Sequence, residues 1–165
     1  MIAGVNLTTG KSFLAKLGDG LEIIEVETNE DIAEELEDVE VLAVNASFKP
    51  VEGLSDDEED LVEEGYSFSP STNETDLNRR AVHLKQLLFE KGLEVELIRF
   101  DEMITSRELA IGGDQALESY GIDTSEITCS EEFDAVLGAV TARFYQQDQC
   151  RDLGVQIPEA LNQKT

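Results

Sequence analysis

Three residues in this sequence are placed to do chemistry together. Asn6 closes the first apolar run, Asn45 closes the fourth, and Asp134 falls in the first turn of the last helical pattern. Small residues surround that acid, in the run Ala135, Gly138, Ala139, Thr141 and Ala142. They let the helix lie close to a sheet, which brings Asp134 toward the ends of the strands. An aspartate there can ligate a cation. An asparagine offers an amide oxygen, which can ligate Mg²⁺ but carries no negative charge.

Other candidate chemistries fail on spacing. Gly10-Lys11-Ser12 has the ending of a phosphate-binding loop, but Gly4 and Gly10 are separated by five residues rather than four, and a strand follows where a helix is required. The single histidine, His83, sits inside a helical pattern with no serine or cysteine partner and reads as a helix surface residue. Cys129 and Cys150 bracket a helical span of roughly 30 Å, whereas a disulfide needs Cα atoms within about 7 Å. Both read as structural thiols of a reducing compartment. Asp56-Asp57-Glu58-Glu59-Asp60 lacks the alternate spacing and central glycine of a calcium loop.

The elements that must position Asn6, Asn45 and Asp134 are legible as patterns. Ile2–Leu7, Ser12–Leu17 and Leu21–Val26 read as three strands joined by the turns Thr8-Thr9-Gly10 and Gly18-Asp19-Gly20, an antiparallel meander. Thr28 or Asn29 can cap a helix to about Glu37, with Glu30 and Asp31 favourable against its dipole. Val39–Val44 is a strand covered on both faces. Residues 46–75 show no period and read as an acidic and polar insertion loop, in which Glu52–Glu64 holds eight acids and no base. Leu77–Lys91 is a helix stopped by Gly92, and Glu94–Phe100 is the fifth strand. Residues 101–129 read as an irregular connection with weak helical turns at Ser106–Ile111 and Asp114–Tyr120. Ser130 then caps a helix over roughly Glu131–Gln149, with Phe133, Val136, Leu137, Val140 and Phe144 as its buried stripe. The order βββαβαβα predicts an α/β fold: one domain over 1–165, with a mixed five-stranded sheet and helices on both faces.

With these elements in place, the chain resembles the RNase H-like superfamily, and most nearly the uncharacterised family of predicted RNase H-fold nucleases of archaea and bacteria. The matching segments are Gly4-Val5-Asn6, Ala43-Val44-Asn45-Ala46 and the run Phe133-Asp134-Ala135-Val136-Leu137-Gly138-Ala139-Val140-Thr141-Ala142. The last is similar to the family's Asp-Ala-x-x-x-Ala-x-x-Ala pattern. The resemblance implies hydrolysis of a phosphodiester in nucleic acid with two Mg²⁺ or Mn²⁺ ions, held by carboxylates on the strand ends and the facing helix. It places Asn6 and Asn45 where acids are expected and leaves Asp134 as the retained acid. The expected site is therefore Asp134 as metal ligand, Asn6 and Asn45 as neutral ligands, and Asp101 assisting, with Glu102 and Glu108 as substitutes. A site so depleted predicts a degenerate or inactive nuclease. Two alternatives stand beside it. One is a non-catalytic interaction domain that meets a basic protein through Glu52–Glu64. The other is a nucleotide binder, since Gly4-Val5-Asn6-Leu7-Thr8-Thr9-Gly10 resembles the first phosphate-binding hairpin of actin-like ATPases, with Thr8, Thr9 and Lys11 as the grip.

Charge sets the context. The 165 residues carry 37 acids against 12 bases, a net charge of −25, with only six lysines. Such a surface argues against general electrostatic binding to DNA. No apolar run is long enough for a membrane span, and the first residues lack the basic start of a signal peptide, so a cytoplasmic protein is expected. Adaptation to concentrated salt explains the acidity, because at about 1 M ionic strength the Debye length is about 3 Å and an acidic shell barely repels itself. The melting temperature should then rise between low salt and molar KCl. A flat response would refute salt adaptation.

Overall fold

The computed structural model describes residues 1–48, 56–70 and 75–159. Its centre is β1 (Ile2–Asn6), buried along its whole length. Strand β2 (Ser12–Leu17) returns antiparallel to it, and β3 (Leu21–Val26) returns antiparallel to β2. After α1 (Asn29–Glu34), β4 (Val41–Val44) lies parallel to β1 on its other side. Helix α2 (Asp56–Glu63) and helix α3 (Thr75–Glu90) precede β5 (Glu96–Arg99), which is parallel to β4. The sheet order is β3-β2-β1-β4-β5. Two short helices, α4 (Glu102–Glu108) and α5 (Asp114–Glu118), lead to the long α6 (Ser130–Gln146). A small hairpin of β6 (Cys150–Asp152) and β7 (Gln156–Pro158) ends the described chain.

Alternation along the strands sorts residues to two faces. Ala3, Val5, Leu42 and Val44 pack with Ile32, Leu36, Ala81, Leu84 and Leu88 beneath α1 and α3. Ile2, Val41, Ala43 and Ile98 pack on the other face with Ala135, Val136, Ala139 and Val140 of α6. Gly4 and Asn6 share the α6 face with Ile2. A Cβ on Gly4 would lie 2.2 Å from the backbone nitrogen of Ala139, and one on Gly138 would lie 2.7 Å from the Phe100 ring. Helix α6 therefore touches β1 backbone to backbone, the close approach that the small residues predict.

Local chemistry accounts for the element ends. Thr28 is the N-cap of α1, in a reciprocal capping box with Asp31. Gly92, with φ of 71°, takes the left-handed conformation after α3. Four expectations need correction. Within the segment read as a loop, Asp56–Glu63 is helical, and residues 49–55 and 71–74 lie outside the described residues. In the segment read as irregular, the first helix begins at Glu102 because Asp101 caps it. At α6, Cys129 rather than Ser130 stands at the N-cap, its side chain making no capping bond, and Glu132 instead reaches back to the Thr128 N–H at 2.9 Å. The helix also ends at Gln146, and the hairpin after it was not read from the sequence. Three-residue strands are too short to show a period.

Both cysteines are free. No described helix is long and apolar enough to cross a membrane. Gly4→Ala should cost about 3 kcal/mol or more in a denaturant melt, since the added methyl meets backbone rather than a movable side chain. A loss below about 1 kcal/mol would show that α6 can lift from β1 freely.

Candidate functional site at the strand ends

The parallel strands β1 and β4 end side by side, and both end in asparagine. Asn45 Oδ1 accepts the Leu7 N–H at 2.7 Å, which fixes the orientation of the amide. Its Nδ2 therefore faces the other way, donating to Asn6 Oδ1 at 2.8 Å and to the Leu7 carbonyl at 3.1 Å. Asn6 Nδ2 donates upward to the Glu131 carbonyl in the first turn of α6 at 3.3 Å. The two amides thus tie β1, β4 and α6 together. Asn6 is buried.

Asp134 lies half-buried on α6. Burial, then the neighbouring carboxylates of Glu131 and Asp101, push its pKa up to about 6. Asp101 is fully enclosed and works as a cap: Oδ1 accepts the N–H groups of Met103 and Ile104 at 2.9 and 3.3 Å. Its Oδ2 accepts the Ser69 N–H at 2.8 Å. Burial still raises the Asp101 pKa, outweighing these donors and the Arg99 guanidinium nearby. Of the residues read from sequence, the structure brings Asn6 and Asn45 into contact and sets Asp134 and Asp101 close enough to repel. Glu131 was missed, although its place three residues before Asp134 in a helix puts both on one face.

Whether these groups suit a divalent cation can be tested on the donors themselves. Both amide oxygens already accept protein N–H bonds, and both Asp101 oxygens are taken. Among the described residues no cluster of three His, Cys, Asp or Glu side chains could hold a metal ion. This arrangement does not fit a pair of Mg²⁺ or Mn²⁺ ions.

A separate cleft of about 610 Å³ opens beside the β1–β2 turn, lined by Thr8, Lys11, Glu27, Asp76 and Arg80 among others. The turn is held by its own bonds: Thr8 Oγ1 donates to the Lys11 carbonyl at 2.6 Å and accepts the Gly10 N–H at 3.1 Å. Arg80 is spent on structure. Its guanidinium donates to the carbonyls of Thr8 and Glu27, at 2.9 and 3.2 Å, and to Ser12 Oγ at 2.7 Å. His83 is exposed on α3.

No protein-family model matches the chain, and no curated protein is similar to it. Among solved structures, it is similar to T. thermophilus RuvC in complex with a Holliday junction substrate. The TM-score is 0.58 at 18% sequence identity, with 95% of this chain and 98% of that chain covered. The fold is RNase H-like. That likeness extends over nearly the whole chain.

The raised pKa of Asp134 has a measurable consequence. An unfolded aspartate ionises near pH 3.8, whereas the folded one holds its proton to about pH 6. Between those values ionisation favours the unfolded chain, so stability falls as pH rises from about 4 to 6 and stays lower above. Asp134→Asn should therefore be more stable than the native chain at pH 7.5, by on the order of 1 kcal/mol after solvent screening. The difference should vanish near pH 4. Equal melting temperatures at both pH values would contradict the buried, repelled carboxylate.

Proposed function

We propose that the chain is an RNase H-fold nuclease domain whose two-metal site is degenerate, with nucleic acid as the partner of the strand ends. The observation that carries this is the Asn6–Asn45 amide pair. Two carboxylates facing each other at such a distance repel strongly and need cations between them; two amides satisfy each other without any. The RNase H-like fold and the likeness to a nuclease bound to a Holliday junction support the ancestry and the nucleic-acid partner.

With metal ions bound, such a site would supply an activated water and charge neutralisation at the phosphate. This chain's own residues supply less. Asp134 can accept a proton near neutral pH, and Asn6 Nδ2 holds α6 in place. Neither neutralises developing negative charge. Of the acids read as a surface for a basic protein, Glu58 is buried against Arg99 and Glu64 pairs with Arg151, while Asp56, Asp57, Glu59, Asp60 and Glu63 are exposed. Salt adaptation remains part of the proposal, resting on the net charge of −25.

Calorimetric Mn²⁺ titration in molar KCl, with cleavage assays on branched and single-stranded oligonucleotides, tests the reading. The native chain should show neither strong Mn²⁺ binding nor cleavage. Asn6→Asp with Asn45→Asp should gain Mn²⁺ binding, and adding Asp134→Ala should remove it. Metal-dependent cleavage by the native chain, lost in Asp134→Ala alone, would show a live site and overturn the degeneracy.

A further inference from the structure

The six arginines of the chain are distributed unevenly in their use. Arg80 and Arg143 donate to backbone carbonyls within the domain, and Arg79 is exposed on α3. The remaining three, on three different elements, converge on one segment, residues 56–70. Arg99, at the end of β5, pairs with Glu58 at 3.1 Å and donates to the Ser69 carbonyl at 3.3 Å. Arg107, on α4, donates to the Gly65 carbonyl at 3.1 Å and lies over the Tyr66 ring. Arg151, on β6, pairs with Glu64 at 2.9 Å and donates to the Tyr66 hydroxyl at 3.0 Å.

The segment seated on these arginines is a dense linear polyanion. Helix α2, Asp56–Glu63, carries six acids and no base, and Glu64 follows directly. Glu58 is completely buried and Leu61 packs with Ile104, Val155 and Ile157, so the segment is docked rather than draped. The same strap caps the strand-end site, through Ser69 N–H on Asp101.

We propose that segment 56–70 is an intramolecular stand-in for a nucleic-acid backbone, covering an arginine face formed by Arg99, Arg107 and Arg151 beside the strand ends. This rests on the nucleic-acid reading given above and adds its regulation. Phosphates recognise arginine by charge-assisted N–H···O bonds of the kind that Glu58 and Glu64 each make here through one carboxylate oxygen. While the segment is docked, Arg99 and Arg151 are paired with its carboxylates and Arg107 is engaged by the Gly65 carbonyl and the Tyr66 ring. Displaced, the face offers three guanidinium groups to a phosphate chain.

The test is binding of a fluorescent 30-nucleotide single strand and of a four-way DNA junction, by anisotropy in about 50 mM KCl. Glu58→Gln with Glu64→Gln should bind about tenfold or more tightly than the native chain. Adding Arg107→Gln and Arg151→Gln should return binding to the native level. Glu22→Gln with Glu30→Gln removes the same charge from exposed positions elsewhere and should gain nothing. Glu64→Gln alone, at a half-exposed position, serves if the buried substitution disturbs folding, and should give part of the gain. No gain in folded variants, an equal gain in the Glu22/Glu30 control, or equally tight binding of poly-glutamate would overturn the proposal. These outcomes leave the Mn²⁺ result for Asn6→Asp with Asn45→Asp untouched, so failure of the latch and failure of the degenerate-site reading are separable.

Discussion

The contact between Gly4 on β1 and the Ala135–Ala139 stretch of α6 sets the geometry of everything above it. Layers of secondary structure are normally held apart, about 10 Å for stacked sheets, because side chains stand between them. Here there is no side chain on Gly4, and the next atoms out are the Ala139 nitrogen and the Ala135 carbonyl. Helix α6 is thereby fixed in height and in rotation. Its first turn is set directly above the end of β1, where the Glu131 carbonyl meets Asn6 Nδ2. Asp134 gains its half-buried place from the same contact, and its raised pKa follows from that place. A larger residue at position 4 would lift α6 and return Asp134 to water.

This contact was readable in the sequence, and so was the fold around it. Gly138 in a run of alanines and threonine stands out in a helix that otherwise has a broad apolar stripe, and glycine in a buried strand calls for a close neighbour. The five-strand order followed from tight turns, two crossovers and right-handed connection. What the sequence could not supply is the state of the side chains at the strand ends. Asn6 and Asn45 are far apart in the chain, and nothing local says that one amide will orient the other. That depends on Leu7 N–H, which fixes Asn45, which then fixes Asn6.

Asp101 shows the same limit from the other side. Read alone, an acid after a strand is a candidate ligand. Its oxygens are consumed by the first turn of α4, which it caps, and by Ser69 from a segment that has no period of its own. The capping role was available in principle, because an aspartate before Glu102-Met103-Ile104 is a helix-start signal. The bond to Ser69 was not, since it spans 32 positions. Acidic composition also concealed α2. A run of carboxylates repels itself and reads as solvated chain, and here the repulsion is offset by Arg99 and Arg151, distant in sequence.

The Arg99–Glu58 pair explains why that segment sits in one register and not in several. Desolvating two charges cancels most of what their attraction returns, so a buried pair adds little net stability compared with apolar packing. Leu61 in its pocket supplies the packing. Sliding α2 by one position would leave Arg99 and Glu58 each buried without the other, at a cost of about 3–5 kcal/mol. With Glu58 held, the strap that follows can place the Ser69 N–H on Asp101 and its carbonyl on the same guanidinium. That one ion pair thus helps set both the docking of the acidic helix at this edge of the sheet and the bond by which the strap holds Asp101 Oδ2.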